Sequence, residues 1–415
     1  MTNKKTLFLG GLFPKELYED ILINSKGPIQ NAANKFQWNI INGLDENLER
    51  PVTIINQMFI GSFPRRYRKA KIKSSIFSHV NGHEDYNVGF INISILKQFL
   101  LSIYLKRIFR KFARENPNRK YNLIVYSLQP FFLSTIKYIK KYNNNFNVCM
   151  IVPDLPEYMS IDMEKKAIMK IYKSYQNLKI KKQIKHIDSF VFLTDQMNNY
   201  FGLEKPYIVI EGMVPLPNDS IKKPIEKDYL NLDCKNIVYT GTLTKKYGVL
   251  DLVEAFKKIK FTNYRLIICG DGETKQSIIE SSITDRRIIY LGQIQYQEIE
   301  YIQENATLLV NPRTGLEDFT KYSFPSKNME YLKSGRPVIC HKLPGIPDEY
   351  DDYLHYFNSD NINNIAEDLV EICEKDEGIL KNIGSNGKKF VEEEKNILIQ
   401  TKKIVDLLEK TSENE

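Results

Sequence analysis

Short runs of β-branched and other apolar residues recur along the chain, separated by stretches in which apolar positions return every three or four residues. The runs are TLFLG, VTIINQMFI, NLIVYS, VCMIV, SFVFLT and YIVI in the first half, then NIVYTG, RLIICG, RIIYLG, TLLVNP and RPVIC in the second. Continuous rather than alternating apolar runs belong to strands buried on both faces. Strand–helix alternation repeated twice therefore predicts an α/β protein of two doubly wound parallel-sheet domains. The segment VPLPNDSIKKPIEKDY (214–229), with three prolines and many polar residues, interrupts the pattern before NIVYTG restarts it. The expected layout is a first domain over 1–215, a linker over 216–234 and a second domain over 235–395, with a final helix (396–411) packing back on the first domain. In such sheets ligands bind beyond the carboxyl ends of the strands, and two sheets facing each other leave a cleft there.

Length and composition agree with two large cores: 415 residues, 42% hydrophobic and 27% charged, are too many for a small module and too apolar for a disordered chain. The five cysteines stand apart with no C-x-x-C pair, which reads as free thiols in a reducing compartment. The N-terminal MTNKKTLFLGG breaks at Gly10 and Gly11 before an export signal accumulates, and lysines and arginines interrupt every long apolar stretch. The expected location is cytoplasmic, without a membrane span.

Charge divides the chain. Residues 1–210 hold 32 Lys and Arg against 16 Asp and Glu, whereas the remainder holds 27 against 35. The excess concentrates in residues 64–120, with the cluster Arg65, Arg66, Arg68, Lys69, Lys71 and Lys73 and the set Lys106, Arg107, Arg110, Lys111 and Arg114. In ILKQFLLSIYLKRIFRKF these cations accompany apolar residues at helical spacing, the pattern of a helix lying on an anionic lipid surface. Arg65, Arg66, Arg68, Lys106, Arg107 and Arg110 are the membrane-facing candidates, placing the protein peripherally on the inner face of the plasma membrane. A plain solvated basic face fits the same residues. Nucleic acid is the less favoured partner, because no zinc-finger spacing, RNP-like aromatic motif or helix-turn-helix accompanies the charge.

The most informative passage is RTGLEDFTKYSFPSKNMEYLKSGRPVI. Pro325 and Ser326 open a helix whose free N–H groups and positive dipole end suit an anion such as a diphosphate. Lys327 adds a cation there, and Glu330, three residues on, shares its face and suits hydrogen bonding to a ribose diol. Tyr331 and Leu332 read as packing residues, and Gly335 to Pro337 end the helix. The glycine and lysine turn after NIVYTG suggests a second anion pocket, whereas Gly270 and Gly272 read as a tight structural turn.

This passage resembles the donor-binding motif of the family 4 glycosyltransferases, retaining enzymes of the GT-B fold, some of which carry F-P-S-K-x-x-E-Y-x-x-x-G-x-P-V-I. The resemblance implies two Rossmann-like domains facing across a cleft and transfer of a sugar from a nucleotide sugar, UDP-linked on family grounds, to a glycan or lipid-linked saccharide. Polysaccharide or capsule assembly would be the setting. By that resemblance Glu330 is the second glutamate of the E-x7-E motif, and Tyr322 replaces the first. Gly241 and Gly248 match the glycines of the family's G-R-L…K-G segment. Thr242 replaces its arginine and Tyr247 its lysine, so Lys245 or Lys246 takes the phosphate contact. Gly292 lines the expected base pocket, Lys26, Gly27 and Pro28 look like the loop facing the donor, and Arg313 and Lys327 would neutralise the sugar-phosphate. Asp154, after VCMIV and near Glu157, would orient or act on the acceptor hydroxyl, making Asp154 and Lys327 the catalytic candidates. Asn31 and Asn34, on a helix with apolar positions Ile29, Ala33, Phe36 and Ile40, would reach substrate hydroxyls.

No D-x-D triplet, P-loop or G-x-S-x-G elbow occurs, and His79 and His83 form only a weak H-x-x-x-H, so neither a metal nor another cofactor is expected. Two other readings remain: a catalytically silent subunit of the same fold, motivated by Tyr322 and Thr242, and a nucleotide-sugar epimerase.

Overall fold

Each of the eleven apolar runs forms a strand. The computed structural model describes residues 4–27, 29–143, 145–156, 178, 180–216 and 229–413; Pro28, Glu157 and most of the expected linker lie outside them. The chain divides into two units, Met1–Ile210 with Ile397–Glu415, and Glu211–Asn396.

The first unit contains β1 (Lys5–Gly10), β2 (Thr53–Asn56), β3 (Lys71–Ile72), β4 (Ser75–Phe77), β5 (Asp85–Asn87), β6 (Phe90–Ile91), β7 (Tyr121–Tyr126), β8 (Phe146–Val152), β9 (Ser189–Phe192) and β10 (Tyr207–Val209). Its main sheet runs β10-β9-β8-β7-β1-β2-β5-β4, parallel except for β4, which pairs antiparallel with β5. β3 and β6 form a separate antiparallel pair. These four short strands have no long apolar run, and the sequence pattern misses them.

Its helices are α1 (Tyr18–Asn24), α2 (Asn31–Asn47), α3 (Ser94–Glu115), α4 (Pro130–Tyr142) and α5 (Asp195–Phe201). α2 buries Gln37, Ile40, Ile41 and Leu44, while Ile29, Ala33 and Phe36 stay half-exposed. The inward stripe thus differs from the expected one because Gln37 is drawn in: its Oε1 accepts the Gly11 N–H at 2.8 Å.

The second unit contains β11 (Lys235–Thr240), β12 (Tyr264–Cys269), β13 (Ile288–Gly292), β14 (Leu308–Asn311), β15 (Val338–Cys340) and β16 (His355–Tyr356), in the parallel order β13-β12-β11-β14-β15-β16. Alternate residues feed two cores. Ile237, Tyr239, Leu266 and Ile268 point to one, with α6 (Val249–Lys258), and Val238, Ile267, Cys269 and Leu309 to the other. Such two-sided burial explains the continuous apolar runs. α7 (Lys275–Thr284), α8 (Tyr296–Glu304), α9 (Ser326–Lys333), α10 (Ile362–Cys373) and α11 (Glu377–Glu394) complete this unit.

α12 (Ile397–Glu413) returns to the first unit and packs on α2, where the Asn47 amide donates to Leu398 O and Thr401 Oγ1, both at 2.9 Å. The first crossing between units falls after Ile210 rather than after 215. Residues 211–216 belong with the second unit because the Val214 N–H donates to Lys395 O at 2.9 Å and Glu211 pairs with Lys395.

Candidate functional site

α9 begins at Ser326 with no side chain capping its N-terminus. Its inward residues fasten it at several points. Asn328 accepts from Asn311 Nδ2 at 2.6 Å and donates to Cys340 Sγ at 3.3 Å, while Met329, Tyr331 and Leu332 enter the core. The Tyr331 hydroxyl accepts the Thr240 N–H at 2.9 Å and donates to Thr240 O at 3.1 Å, tying the helix to the carboxyl end of β11. Desolvation pushes this hydroxyl's pKa well up, so it stays protonated and able to donate.

The outward residues are the two the sequence singles out. Lys327 and Glu330 are about one-third exposed and 3.7 Å apart, an i, i+3 pair. The Gln303 amide, from α8, donates to Glu330 Oε1 at 3.0 Å and to Thr240 Oγ1 at 2.9 Å. One Glu330 oxygen is thereby oriented by a buried amide, and the other faces Lys327.

Gly241 lies against the Lys327 side chain. A methyl group there would come within 3.0 Å of Lys327 Cε. β11 and β12 are followed by Gly241 and Gly270, and β13 ends on Gly292; their backbones interlock through Gly241 N–H to Cys269 O (2.9 Å) and Gly270 N–H to Gly292 O (2.8 Å). At Gly270 a Cβ would meet Gly241 O at 1.8 Å, so the close backbone approach demands glycine, as its structural reading expects.

Thr242 and Lys246 are exposed on the following loop, which Glu273 holds by accepting from Thr244 Oγ1 (2.8 Å) and the Lys245 N–H (3.1 Å). Arg313 stands beside that loop, its guanidinium over Phe319 (4.6 Å) and Tyr247 (5.6 Å), and donates to Ser323 Oγ at 2.7 Å. Burial lowers its pKa, while Tyr247 acts in the opposite direction. Gly241, Ser326, Lys327 and Glu330 thus gather at the carboxyl end of β11. Arg313, Thr242 and Lys246 flank them, and Gly292 lies two strands away.

The first-unit candidates are more dispersed. Gly27 (φ +101°) turns the chain between α1 and α2, whereas the loop directly after β1 is Gly11 to Pro14. The expected counterpart of a loop between first strand and first helix is therefore displaced by α1. Asn34 Oδ1 accepts the Phe13 N–H at 2.7 Å and Asn31 Oδ1 accepts from Tyr18 Oη at 3.2 Å, so both amides brace this part of the fold. Asp154 follows β8, exposed at its surface. The protein packed around it raises its pKa by desolvation, and its charge helps raise that of Tyr126 at the end of β7.

His79 and His83 do not form a metal pair. His79 is bonded on both ring nitrogens, to Asp85 Oδ2 at 2.5 Å and Asp45 Oδ2 at 3.0 Å. Among the described residues no group of three His, Cys, Asp or Glu side chains converges as a metal site.

The basic candidates separate. Arg65, Arg66 and Arg68 are exposed on the segment beside α1, while Arg107 and Arg110 lie along α3. Lys106 is half-buried with its ammonium over the Tyr138 ring at 5.8 Å. Leu101, Leu105 and Phe109 of α3 are buried against the unit's own core and present nothing to lipid. No helix of the described residues is long and apolar enough to cross a membrane.

Sequence reasoning missed Thr240 and Gln303 and took Tyr331 for packing alone. Gln303 lies 27 residues from its partner and only the adjacency of strands brings it in. The one signal for Tyr331 is its phenol, a polar tip on a ring that the helix buries.

Residues 221–390 match the family described as "Glycosyl transferases group 1". An uncharacterized glycosyltransferase of Methanocaldococcus jannaschii is 25% identical over 291 residues, covering 67% of this chain and 61% of that protein. The putative teichuronic acid biosynthesis glycosyltransferase TuaC of Bacillus subtilis is 28% identical over 141 residues, 33% of either chain. The matches thus span less than two-thirds of the length of these relatives. Among solved structures, sucrose-phosphate synthase from Thermosynechococcus elongatus superposes with a TM-score of 0.67 at 12% identity, covering 99% of this chain and all of that one. A TarM variant of S. aureus, in a complex containing UDP, does so with a TM-score of 0.57 at 12% identity over 97% and 99% of the two chains. The chain therefore carries a glycosyl transferases group 1 match in its second unit and the two-unit parallel α/β fold of the GT-B glycosyltransferases.

Proposed function

We propose that the protein is a retaining glycosyltransferase. It moves a sugar from a nucleoside-diphosphate sugar, with UDP as the nucleotide, to a hydroxyl of a glycan or lipid-linked saccharide during polysaccharide or capsule assembly. The observation that carries this reading is the Lys327–Glu330 pair at the open N-terminal end of α9, with Glu330 oriented by Gln303 and Lys327 lying against Gly241. Glu330 holds the ribose diol. The first-turn N–H groups of α9, Ser326 and Lys327 receive the diphosphate, with Arg313 and the loop lysines beside them, and stabilise the charge that develops as the sugar leaves. Gly292 borders the base, and Gly27 and Asp154 serve the first unit's side of the reaction, Asp154 on the acceptor hydroxyl. That hydroxyl attacks on the face the diphosphate departs from, so no protein nucleophile is required, and the helix-end N–H groups with Lys327, Arg313 and a loop lysine take the place of a metal on the diphosphate. The nucleotide in the TarM complex supports UDP, and the name of the Bacillus relative supports a polysaccharide setting.

The test is thermal stability across nucleoside diphosphates and their sugars, with and without added divalent metal, for the protein and for Glu330→Ala. A ligand at 100 times its Kd adds about 2.7 kcal/mol to the folded state. A rise in melting temperature with UDP that Glu330→Ala abolishes is the expected result, and no rise with any nucleotide overturns the reading. Tyr322, in place of the first motif glutamate, favours one alternative, a subunit that binds nucleotide without turnover. UDP binding with neither transfer nor donor hydrolysis would establish it.

A further inference from the structure

α3 carries a second apolar stripe, opposite the one its core consumes. Positions 96, 99, 103, 107, 110 and 114 follow helical spacings of three and four, so they share one face, about half a turn from Leu101, Leu105 and Phe109. Along that outer face come Leu96, Phe99 and Ile103, then Arg107, Arg110 and Arg114. Leu96 is 42% and Phe99 67% exposed, and the three arginines are exposed. The intervening cation is withdrawn. Lys97 donates to Ile60 O at 2.9 Å and lies over the Phe90 ring, and burial lowers its pKa to about 8.

The apolar end of the stripe continues into neighbouring segments. Ile93, 45% exposed, adjoins the Phe63 strand position, and the Phe63 N–H donates to Asn92 O at 2.8 Å. The same segment brings Arg65, Arg66 and Arg68, and α1 beside it exposes Leu22 and Ile23, 47% and 67%; the Arg68 N–H donates to Asn24 O and the Lys26 N–H to Arg66 O, both at 2.9 Å.

We infer that this surface docks on an anionic lipid bilayer, with Leu96, Phe99 and Ile93 entering the headgroup boundary and Arg107, Arg110, Arg114, Arg65 and Arg66 contacting lipid phosphates. Charge complementarity selects the occupant: residues 64–120 hold 14 Lys and Arg against 3 Asp and Glu. Protruding apolar side chains, the aliphatic Ile93 and Leu96 with the aromatic Phe99, beside arginines suit a bilayer, whose apolar interior lies directly beneath its phosphates. A nucleic acid offers the phosphates without that apolar layer. The inference goes beyond the transfer reaction and stands without it, because partition is measured in the absence of any sugar.

The experiment is co-sedimentation of the full chain with vesicles of phosphatidylcholine alone and of equimolar phosphatidylcholine and phosphatidylglycerol, at low and high salt. Binding to the anionic vesicles, weakened by salt, is expected. Arg107→Gln, Arg110→Gln and Arg114→Gln together should lower the partition about 100-fold. Leu96→Ser with Phe99→Ser should lower it about tenfold or more. Lys106→Gln, whose ammonium faces Tyr138, should change it little. These positions are on the surface, so unchanged melting temperatures separate lost docking from lost folding. Equal binding to neutral vesicles, no binding, unaffected binding by both multiple variants, or tighter binding to single-stranded RNA than to the anionic vesicles would each overturn the inference.

Discussion

The two units share a hydrogen-bonding plan and use their buried polar groups differently. In the second, Thr240, Tyr331 and Gln303 form a chain at the carboxyl end of β11 that ends on a partly exposed Glu330. In the first, a buried charged cluster sets His79 between Asp45 and Asp85. Asp85 opens β5 and also accepts the Ile54 N–H at 2.9 Å, and Asp45 accepts the Val52 N–H at 2.8 Å. That cluster fastens the β4–β5 edge to the sheet. Net charge follows the same division: the first unit holds 35 Lys and Arg against 20 Asp and Glu, the second 24 against 31. One unit spends its polar interior on presenting a lysine–glutamate pair, the other on holding an edge, which leaves its surface to carry the cations.

The largest expected effect tests whether the units can be perturbed separately. Lys395 is buried in the second unit, 2.8 Å from Glu211 and 2.5 Å from Glu349, and the Tyr350 hydroxyl donates to Glu211 at 2.7 Å. Burial alone would lower the Lys395 pKa, but the two carboxylates override it and raise the value. Lys395→Met leaves Glu211 buried without its cation, at a cost of about 3–5 kcal/mol. Hydrogen exchange should quicken throughout residues 229–394, and adding Glu211→Gln should restore part of the loss. Equal quickening in β7 and β8 would break the comparison by showing one cooperative body.

A smaller and pH-dependent effect belongs to the first unit. Burial pushes the His79 imidazole down, yet the hydrogen bonds it donates to Asp45 and Asp85 prevail and raise its pKa from 6.5 to about 9. A group raised in the folded state contributes fully below its unfolded pKa and loses that contribution as pH rises through the folded one. The stabilisation, on the order of 2–3 kcal/mol, is therefore present below pH 6.5 and fades through about pH 9. Between pH 7 and 10, protection should fall in β4, β5 and the start of β2 while β11 and β14 hold theirs. His79→Gln should flatten that slope, and a slope that survives the substitution would assign it elsewhere.

The same contrast explains what was legible in the sequence. The central strands of both units were, because burial on two faces writes contiguous apolar runs. The short strands between Lys71 and Ile91 were not, since pairs of two or three residues leave no run. In the candidate site, Ser326, Lys327 and Glu330 were legible because helical spacing is a local property. Gln303 and Thr240 join them only through the parallel pairing of β11 with β14, which periodicity does not encode. α1 was not legible, because it is short and turns Leu22 and Ile23 outward, so Gly27 follows α1 rather than coming directly after β1. On α3 the arginines are legible as charge, whereas the exposure of Leu96 and Phe99 is not: two stripes of one helix are both apolar, and only packing decides which is buried.

The smallest effect concerns Asp154, where the first unit's polar surface and its proposed chemistry meet. Surrounding protein raises this carboxyl's pKa by desolvation. An acid whose folded pKa is raised loses stability as pH climbs from the unfolded value, about 3.9, through the folded one, so at neutral pH its ionised form is a slight liability. Asp154→Asn should raise the melting temperature at pH 7 by a small amount that disappears near pH 4. Sugar transfer should fall in the same variant, because the amide cannot accept a proton from the acceptor hydroxyl. A gain in stability without a loss of transfer would leave Asp154 a desolvated surface carboxylate and move the acceptor's partner elsewhere in the first unit. A loss of both would mean that the carboxylate is held by a favourable contact, contrary to the direction of its shift.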